Sequence, residues 1–468
     1  MPPRRRLGVL AATVAASAIA CGGFVAGYPS VIYDSSGYYY LAGILRTAGL
    51  SGWPTDTRTY GYPLFAAIVT GFREVPPEEF RLIVFAAQLA ALFAATALAA
   101  RRIGRALRSP ALAASAYALG VLNPILLLHA SEPLSDLVSA LLILLAVAFS
   151  WRAPDPSGHD ESAWAPFLSF LCASAAVAVR PANIVVLVSL ALVWAARAIR
   201  WRDLGVRHAA AALAGALPPF LPQMWINHSM FGTFNPLIER HLYRMQAAWG
   251  MGALKYATLV MPDRSPFLVY TNPLYRGDPS PAAFLAKHPV GYAATLALHG
   301  FGILDHDFPF TYVTELKTRY IGLVSAANFL LLYLAAAGAL AVALRALLRR
   351  ELDEGAFAVA ATALVAGAYA ALYLPVEVES RFGLPLQALA APMIAAGFAV
   401  LAGPGRRRRT ARALVAAGAL PCVVGAFWLS AWIGRHRTNP KIDSPANAFV
   451  MGPTRKTPPR PASGRPTP

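Results

Sequence analysis

The amino-acid sequence predicts an all-α integral membrane protein, a polytopic helical bundle of about eleven transmembrane helices with interfacial helices in the first external loop and an external cap. Hydrophobic residues make up 57% of the 468 positions and charged ones only 14%, a balance outside the range of ordinary soluble domains. Apolar runs of about 20 residues, enough to cross a bilayer at ~1.5 Å per residue, recur along the chain. The basic residues fall in short clusters between these runs, alternating with turns that carry acids and aromatics. That is how cytoplasmic and external loops alternate. The net charge of +18, from 41 Lys and Arg against 23 Asp and Glu, is therefore a topology signal. No nucleic-acid partner is expected, and membrane lipids are.

Taken in order, the clusters at 4–6, 101–108, 152, 197–207, 345–350 and 406–412 are assigned to the cytoplasm. They place crossings near 7–29, 81–100, 109–128, 134–151, 164–180, 182–199, 207–227, 319–344, 355–375, 384–403 and 410–433. The odd count leaves the C-terminus outside. The basic start followed by an apolar run also has the form of a cleaved signal, but the run is long and many spans follow. Residues 61–72 are apolar too, yet a segment of about 12 residues is short for a span, so they are read as an interfacial or re-entrant helix. If they crossed, the arginines at 101–108 would move outside. The long polar interval 227–319 is expected to be the cap, within a transmembrane domain of residues 1–434 whose first external loop is 30–80. Residues 435–468, rich in Pro, Arg, Thr and Ser, are expected to be a disordered tail. Cys21, Cys172 and Cys422 lie in apolar runs with no paired spacing, so neither a disulfide framework nor a zinc site is indicated.

The first loop is where the sequence leaves the membrane carrying charge. Asp34 stands just past the first apolar run, and Tyr38, Leu41, Ile44 and Leu45 repeat at helical spacing. Residues 35–47 therefore read as an amphipathic helix lying along the interface. Trp53, Pro54, Tyr62 and Pro63 follow as interface anchors and turns. A short acid-bearing turn, Glu132-Pro133 to Asp136, joins two later spans. Arg180-Pro181 sets a lone arginine on the external side against the charge rule, and boundary cations of that kind are costly and by default functional. Glu377-Val378-Glu379-Ser380-Arg381 repeats the situation between two late spans.

The order of an acid after the first span (Asp34), Tyr38 or Tyr39 and Ala42 on an interfacial helix, and Tyr62-Pro63-Leu64 resembles the first external loop of the GT-C glycosyltransferases. These multi-pass enzymes use polyprenyl-phosphate sugars and include protein O-mannosyltransferases and aminoarabinose transferases. Arg381-Phe382 with Pro385 resembles the element that begins a late helix in the same group. Many relatives carry a second acid beside the first, where this chain has Ser35. The resemblance implies a GT-C-like bundle and an inverting hexosyl or pentosyl transfer from a polyprenyl-phosphate-linked donor to a glycan, lipid or protein acceptor on the external face of the cytoplasmic membrane. It implies Asp34 as the catalytic base, Arg58, Arg180 and Arg381 as donor-phosphate ligands, and Tyr38, Glu132, Asp136, Glu379 and His288 as acceptor-binding or supporting residues. At the 132–136 turn Glu132 is the better match.

Plainer roles stand beside these. Asp34 is also a good helix cap, Glu132 can start the helix that follows it, and Arg381 can pair with Glu377 or Glu379 at a tight turn. His288 and Tyr292, with Trp249, Tyr256 and Tyr275, are candidate stacking walls for a sugar. Asp305-His306-Asp307 invites a metal reading, but a lone Asp-x-Asp in a loop is weak, and neither a metal nor a cofactor is expected. The rival class is a transporter or lipid flippase, which would also line a path with charges. Against it stands the expected absence of Gly/Pro-broken mid-membrane helices in matched halves.

Overall fold

The computed structural model describes residues 3–26, 34–152, 163–202, 204–238, 240, 243–257, 268–306, 318–349, 353–402 and 406–438. The first apolar run forms α1 (Pro3–Ala26), and α2 (Asp34–Ala48) buries Leu41, Ala42 and Leu45 on one face. α3 (Gly61–Val69) has nine residues, too few to cross a bilayer. α4 (Pro77–Ala106) opens on a proline with Glu78 and Glu79 in its first turn and ends on Arg105, charges that complement its dipole.

The run at 109–128 is a broken helix. α5 (Pro110–Val121) and α6 (Pro124–Ala130) meet at an angle of 52°, because Pro124 cannot continue the ladder and Asn123 instead caps α6 by accepting from the Ile125 and Leu126 amides. Among the described residues this is the one pair of apolar helices so bent at a short break.

α7 (Ser135–Ser150), α8 (Trp164–Val179) and α9 (Ile184–Trp201) follow. Pro218 and Pro219 then split the next run into α10 (Val206–Ala216) and α11 (Leu221–Phe231). The cap carries α12 (Tyr243–Gly252), α13 (Pro281–Lys287) and α14 (Pro289–Leu304). Four long helices close the bundle: α15 (Thr318–Arg349), α16 (Glu354–Tyr373), α17 (Leu384–Leu401) and α18 (Arg406–Gly434).

Among the described residues, eight helical stretches are long and apolar enough to cross a membrane, or nine if the bent pair is one span. α7 and α8 also fall on expected crossings but have only 16 residues each. α17 is the hub, packing on α4, α5, α7, α15 and α16. Gln387 on α17 ties it to the broken helix and to α15, accepting from Asn123 Nδ2 at 3.1 Å and donating to Asn328 Oδ1 at 2.5 Å.

The chain is not wholly α. β1 (Ala253–Ala257), β2 (Leu268–Thr271) and β3 (Arg437–Thr438) form an antiparallel three-stranded sheet in the order β1-β2-β3. The expected tail boundary therefore moves from 434 to beyond Thr438, while residues 439–468, expected to be disordered, lie outside the described residues.

Candidate active site

A cavity of about 800 Å³ opens where α2, the 53–60 loop, the start of α7, the end of α8, α12 and the α16 to α17 turn converge. Local sequence explains each approach. Trp53 is fully buried and its indole donates to the Arg58 carbonyl at 3.0 Å, so it pins the arginine-bearing loop instead of anchoring at the membrane interface. Gly61 sits so close to α8 that a Cβ there would lie 2.4 Å from the Ala178 carbonyl oxygen. The residue before Pro181 is steered out of helical geometry, and Arg180 is extended at φ −146° and ψ 115°, which turns its side chain off the end of α8. Gly250 likewise lets α12 approach the 374–379 turn, since a Cβ would meet the Val376 carbonyl carbon at 2.5 Å.

The charges form one connected set. Asp34, in the first turn of α2, accepts from Arg58 Nη2 at 2.5 Å on Oδ1 and from Arg381 Nη1 at 3.0 Å on Oδ2. Arg381 also binds Glu379, with Nε at 2.6 Å, and comes within 4.0 Å of Asp136. Asp136, in the first turn of α7, pairs with Arg180. Arg180 rests over the Phe382 ring at 4.8 Å and Arg58 over Tyr38 at 4.8 Å, so aromatic faces hold the guanidiniums from behind. Tyr38 shares a 2.9 Å hydrogen bond with Ser135.

Burial pushes the Asp34 carboxyl up, but Arg381 and Arg58 outweigh it and hold the group well below the usual carboxylate range. With both arginines in place Asp34 is a weak base. Glu377 is the opposite case. It lines the same cavity, its Oε1 accepts from Gln246 Nε2 at 3.0 Å, and among the described residues it has no cation at ion-pair distance. Burial and the neighbouring Glu379 carboxylate raise it to about 7, against smaller opposing effects of the Gln246 hydrogen bond and Arg381.

Of the residues expected from the sequence, Asp34, Tyr38, Arg58, Asp136, Arg180, Glu379 and Arg381 line this one cavity. Glu132 does not. It is buried one turn away, its carbonyl taken by Gln88 Nε2 at 2.7 Å, because α7 starts at Ser135 and presents Asp136 instead. His288 is exposed at the α13 to α14 junction, away from the cavity. The aromatic walls are Tyr38, Tyr243, Tyr373 and Phe382, not Trp249, Tyr256, Tyr275 or Tyr292. Asp305 pairs with the fully buried Lys255 at 3.4 Å and accepts from Ser430, whereas Asp307 lies outside the described residues. Sequence reasoning passed over Glu377 as more than a partner for Arg381, although its neighbour Glu379, close enough to discourage ionisation of both, was a visible signal.

No protein-family model matches the chain, and no curated protein matches it in sequence. Among solved structures it is similar to the oligosaccharyltransferase of Archaeoglobus fulgidus in the apo form, with a TM-score of 0.50 and 14% identity over 90% of this chain and 56% of that one. It is also similar to the archaeal oligosaccharyltransferase AglB from Archaeoglobus fulgidus in complex with an inhibitory peptide and a dolichol-phosphate, with a TM-score of 0.45 and 15% identity over 92% of this chain and 56% of that one. The chain thus spans little more than half the length of these proteins, and the likeness is one of fold. The polytopic helical bundle expected from the sequence is the architecture this chain adopts, and its fold is similar to that of this oligosaccharyltransferase.

Proposed function

We propose that the chain is a glycosyltransferase that moves a hexosyl or pentosyl unit from a polyprenyl-phosphate donor to a glycan, lipid or protein acceptor at the external face of the cytoplasmic membrane. The observation that carries the proposal is the meeting of Arg58, Arg180 and Arg381 with Asp34 in one cavity at the helix ends. Its volume, about 800 Å³, is of the size that holds a small ligand. Pro181, Ala182, Ile184 and Leu372 give it an apolar rim beside the cations, suited to the isoprenoid stem. The fold shared with an oligosaccharyltransferase supports the same chemistry.

In this reading the donor phosphate seats on the three guanidiniums. As it draws Arg58 and Arg381 away, the Asp34 carboxylate loses its counter-charges and its basicity rises. The acceptor hydroxyl gives its proton to Asp34, its oxygen bonds to the anomeric carbon with inversion, and the bond from that carbon to the phosphate oxygen breaks. Polyprenyl phosphate leaves, its charge held by the same arginines. Asp136 and Glu379 hold Arg180 and Arg381 in place, and Glu377 faces the acceptor.

The test is reconstitution in liposomes with polyprenyl-phosphate hexose or pentose and a cell-envelope extract as acceptor. Time-dependent release of polyprenyl phosphate, with the sugar appearing on a new product, is expected. Movement of the intact lipid-linked sugar between leaflets without bond cleavage would replace this reading with the flippase one. Sidedness is tested separately in intact cells, where an impermeant thiol reagent should label Thr47→Cys on α2 and spare Arg105→Cys on α4. Labelling of Arg105→Cys from outside would invert the orientation.

A further inference from the structure

A second cleft, of about 580 Å³, lies at the other end of the same helices, where the ends of α4, α9, α15 and α17 meet the start of α16. α16 runs the whole way between the two clefts, and its 20 residues put them about 30 Å apart, the thickness of a hydrocarbon core. The second cleft therefore sits at the opposite membrane surface, the one that the arginine clusters mark as cytoplasmic.

Its lining combines cations and acids at the mouth with an apolar wall. Arg108, Arg200 and Arg345 face it, with Trp201 beside Arg200, while Val342 and Ala346 of α15 and Ala396 and Val400 of α17 form the opposite wall. Two acids are present but occupied. Glu354 takes Arg152 at 2.6 Å and Arg108 at 3.3 Å, and Asp353 takes Arg345 at 3.0 Å while its other oxygen caps α16 at the Ala356 amide. Arg200 lies over the Trp201 ring at 5.6 Å and, among the described residues, has no carboxylate at ion-pair distance. Three lining arginines, with Arg152 reaching Glu354 from beside them, against two carboxylates leave the cleft positive. A cationic mouth at the headgroup level above a greasy wall is complementary to one kind of ligand, a phosphate carried on acyl chains.

We propose that this cleft is a binding site for a two-chain anionic phospholipid of the cytoplasmic leaflet, its phosphate between Arg200 and Arg345 and its acyl chains along α15 and α17. The site does not depend on the transfer reaction. A lipid held there ties α9, α15, α16 and α17 together at the end away from the Asp34 cavity.

The test uses the full-length protein reconstituted in phosphatidylcholine with or without phosphatidylglycerol or cardiolipin, then delipidated and weighed intact by native mass spectrometry. Anionic lipid should be retained at least about tenfold over phosphatidylcholine, and the Arg200→Gln/Arg345→Gln variant should lose that preference. Equal retention of phosphatidylcholine overturns the proposal. So does displacement of the lipid by inorganic phosphate at millimolar concentration, which would make the site one for a free anion. A measurement that leaves the arginines untouched guards against misfolding of the variant. Bromo-acyl phosphatidylglycerol should quench the wild-type protein more than bromo-acyl phosphatidylcholine does, and Trp201→Phe should remove that difference. No difference in the wild type counts against the site.

Discussion

Two arginine-rich clefts occupy the two ends of α16 and α17, and they treat charge in opposite ways. Around Asp34 the cations are drawn inward, with the Arg381 side chain 12% exposed and Asp136 2% exposed, and acids and guanidiniums alternate in one chain of contacts. At the other end Arg108 is 76% exposed and reaches the largely buried Glu354 from the water side. Desolvating several ions is expensive, and hydrophobic replacements are often more stable, so packing alone gives no reason to keep the inner set. Exposed pairs are nearly free in either direction. On the two proposals made above, the same residue type serves transfer at one end and lipid contact at the other, and the burial of the cation is what differs.

The comparison can be broken in order of expected effect. Asp136→Ala should be the most damaging, because it leaves Arg180 in the protein with its partner removed. Breaking a buried pair from one side costs about 3–5 kcal/mol, read as a lower thermal midpoint and a smaller yield of folded protein in detergent. Asp136→Ala of near wild-type stability would show that the inner set is as loosely held as the outer one.

Asp34→Asn should lower the thermal midpoint, because Arg58 and Arg381 lose the carboxylate they bind, and per folded molecule should slow transfer about 100-fold or more, a loss of roughly 2.7 kcal/mol of transition-state stabilisation. Near-normal turnover in a well-folded variant would reduce Asp34 to a helix cap. The same variant should still bind the polyprenyl-phosphate donor.

A smaller effect is expected at Glu377, and it is a pH effect. Its folded pKa, about 7, is raised above the ordinary 4.5, so between these values the folded state holds a proton that the unfolded chain releases. Stability should fall as pH rises through that window. Glu377→Gln should remove this part of the slope between pH 4.5 and 7 in a thermal-melt series, and an unchanged slope would mean that the carboxylate is ionised throughout. The smallest effect is at Arg108→Gln, expected to change stability by less than about 1 kcal/mol and transfer not at all. A large loss there would erase the contrast between the clefts.

Much of this was legible in the sequence, for reasons that differ by residue. Arg180 and Arg381 stood out because a cation on the wrong side of the charge alternation needs a partner, and Asp34 because it follows the first apolar run. The apolar runs read as crossings coincide with helices among the described residues, interrupted at 122–123 and 218–220, since apolar length is a local property, although only eight or nine stretches are long enough to span. What was not legible depended on register or on distant pairing. Glu132 and Asp136 are four residues apart, and only the start of α7 at Ser135 decides which one faces the cavity. The strand ALKYA of β1 has no alternation to betray it, for all five residues are buried. Its partners come from 268–271 and, through β2, from 437–438. Trp53 read as an interface anchor because Trp favours that depth, whereas its indole serves Arg58. The clamp on Asp34 joins residues 34, 58 and 381, a three-way meeting that no window of sequence contains.

The last strand bears on how the protein is made. β3 lies just beyond α18, and it completes the cap by pairing Arg437 with Tyr270 and Thr438 with Val269, while Thr271 also reaches the His436 carbonyl. During synthesis β1 and β2 emerge long before their third strand exists, and β2 waits with one edge open, the kind of edge that recruits foreign strands. That edge closes only after α18, a helix long and apolar enough to cross a bilayer, has been made and has brought β3 back to β2. A chain stopped after Gly434 would own every helix among the described residues and still present an unfinished sheet. Sheet closure thus requires that α18 be in place, which ties the third strand to the last described helix.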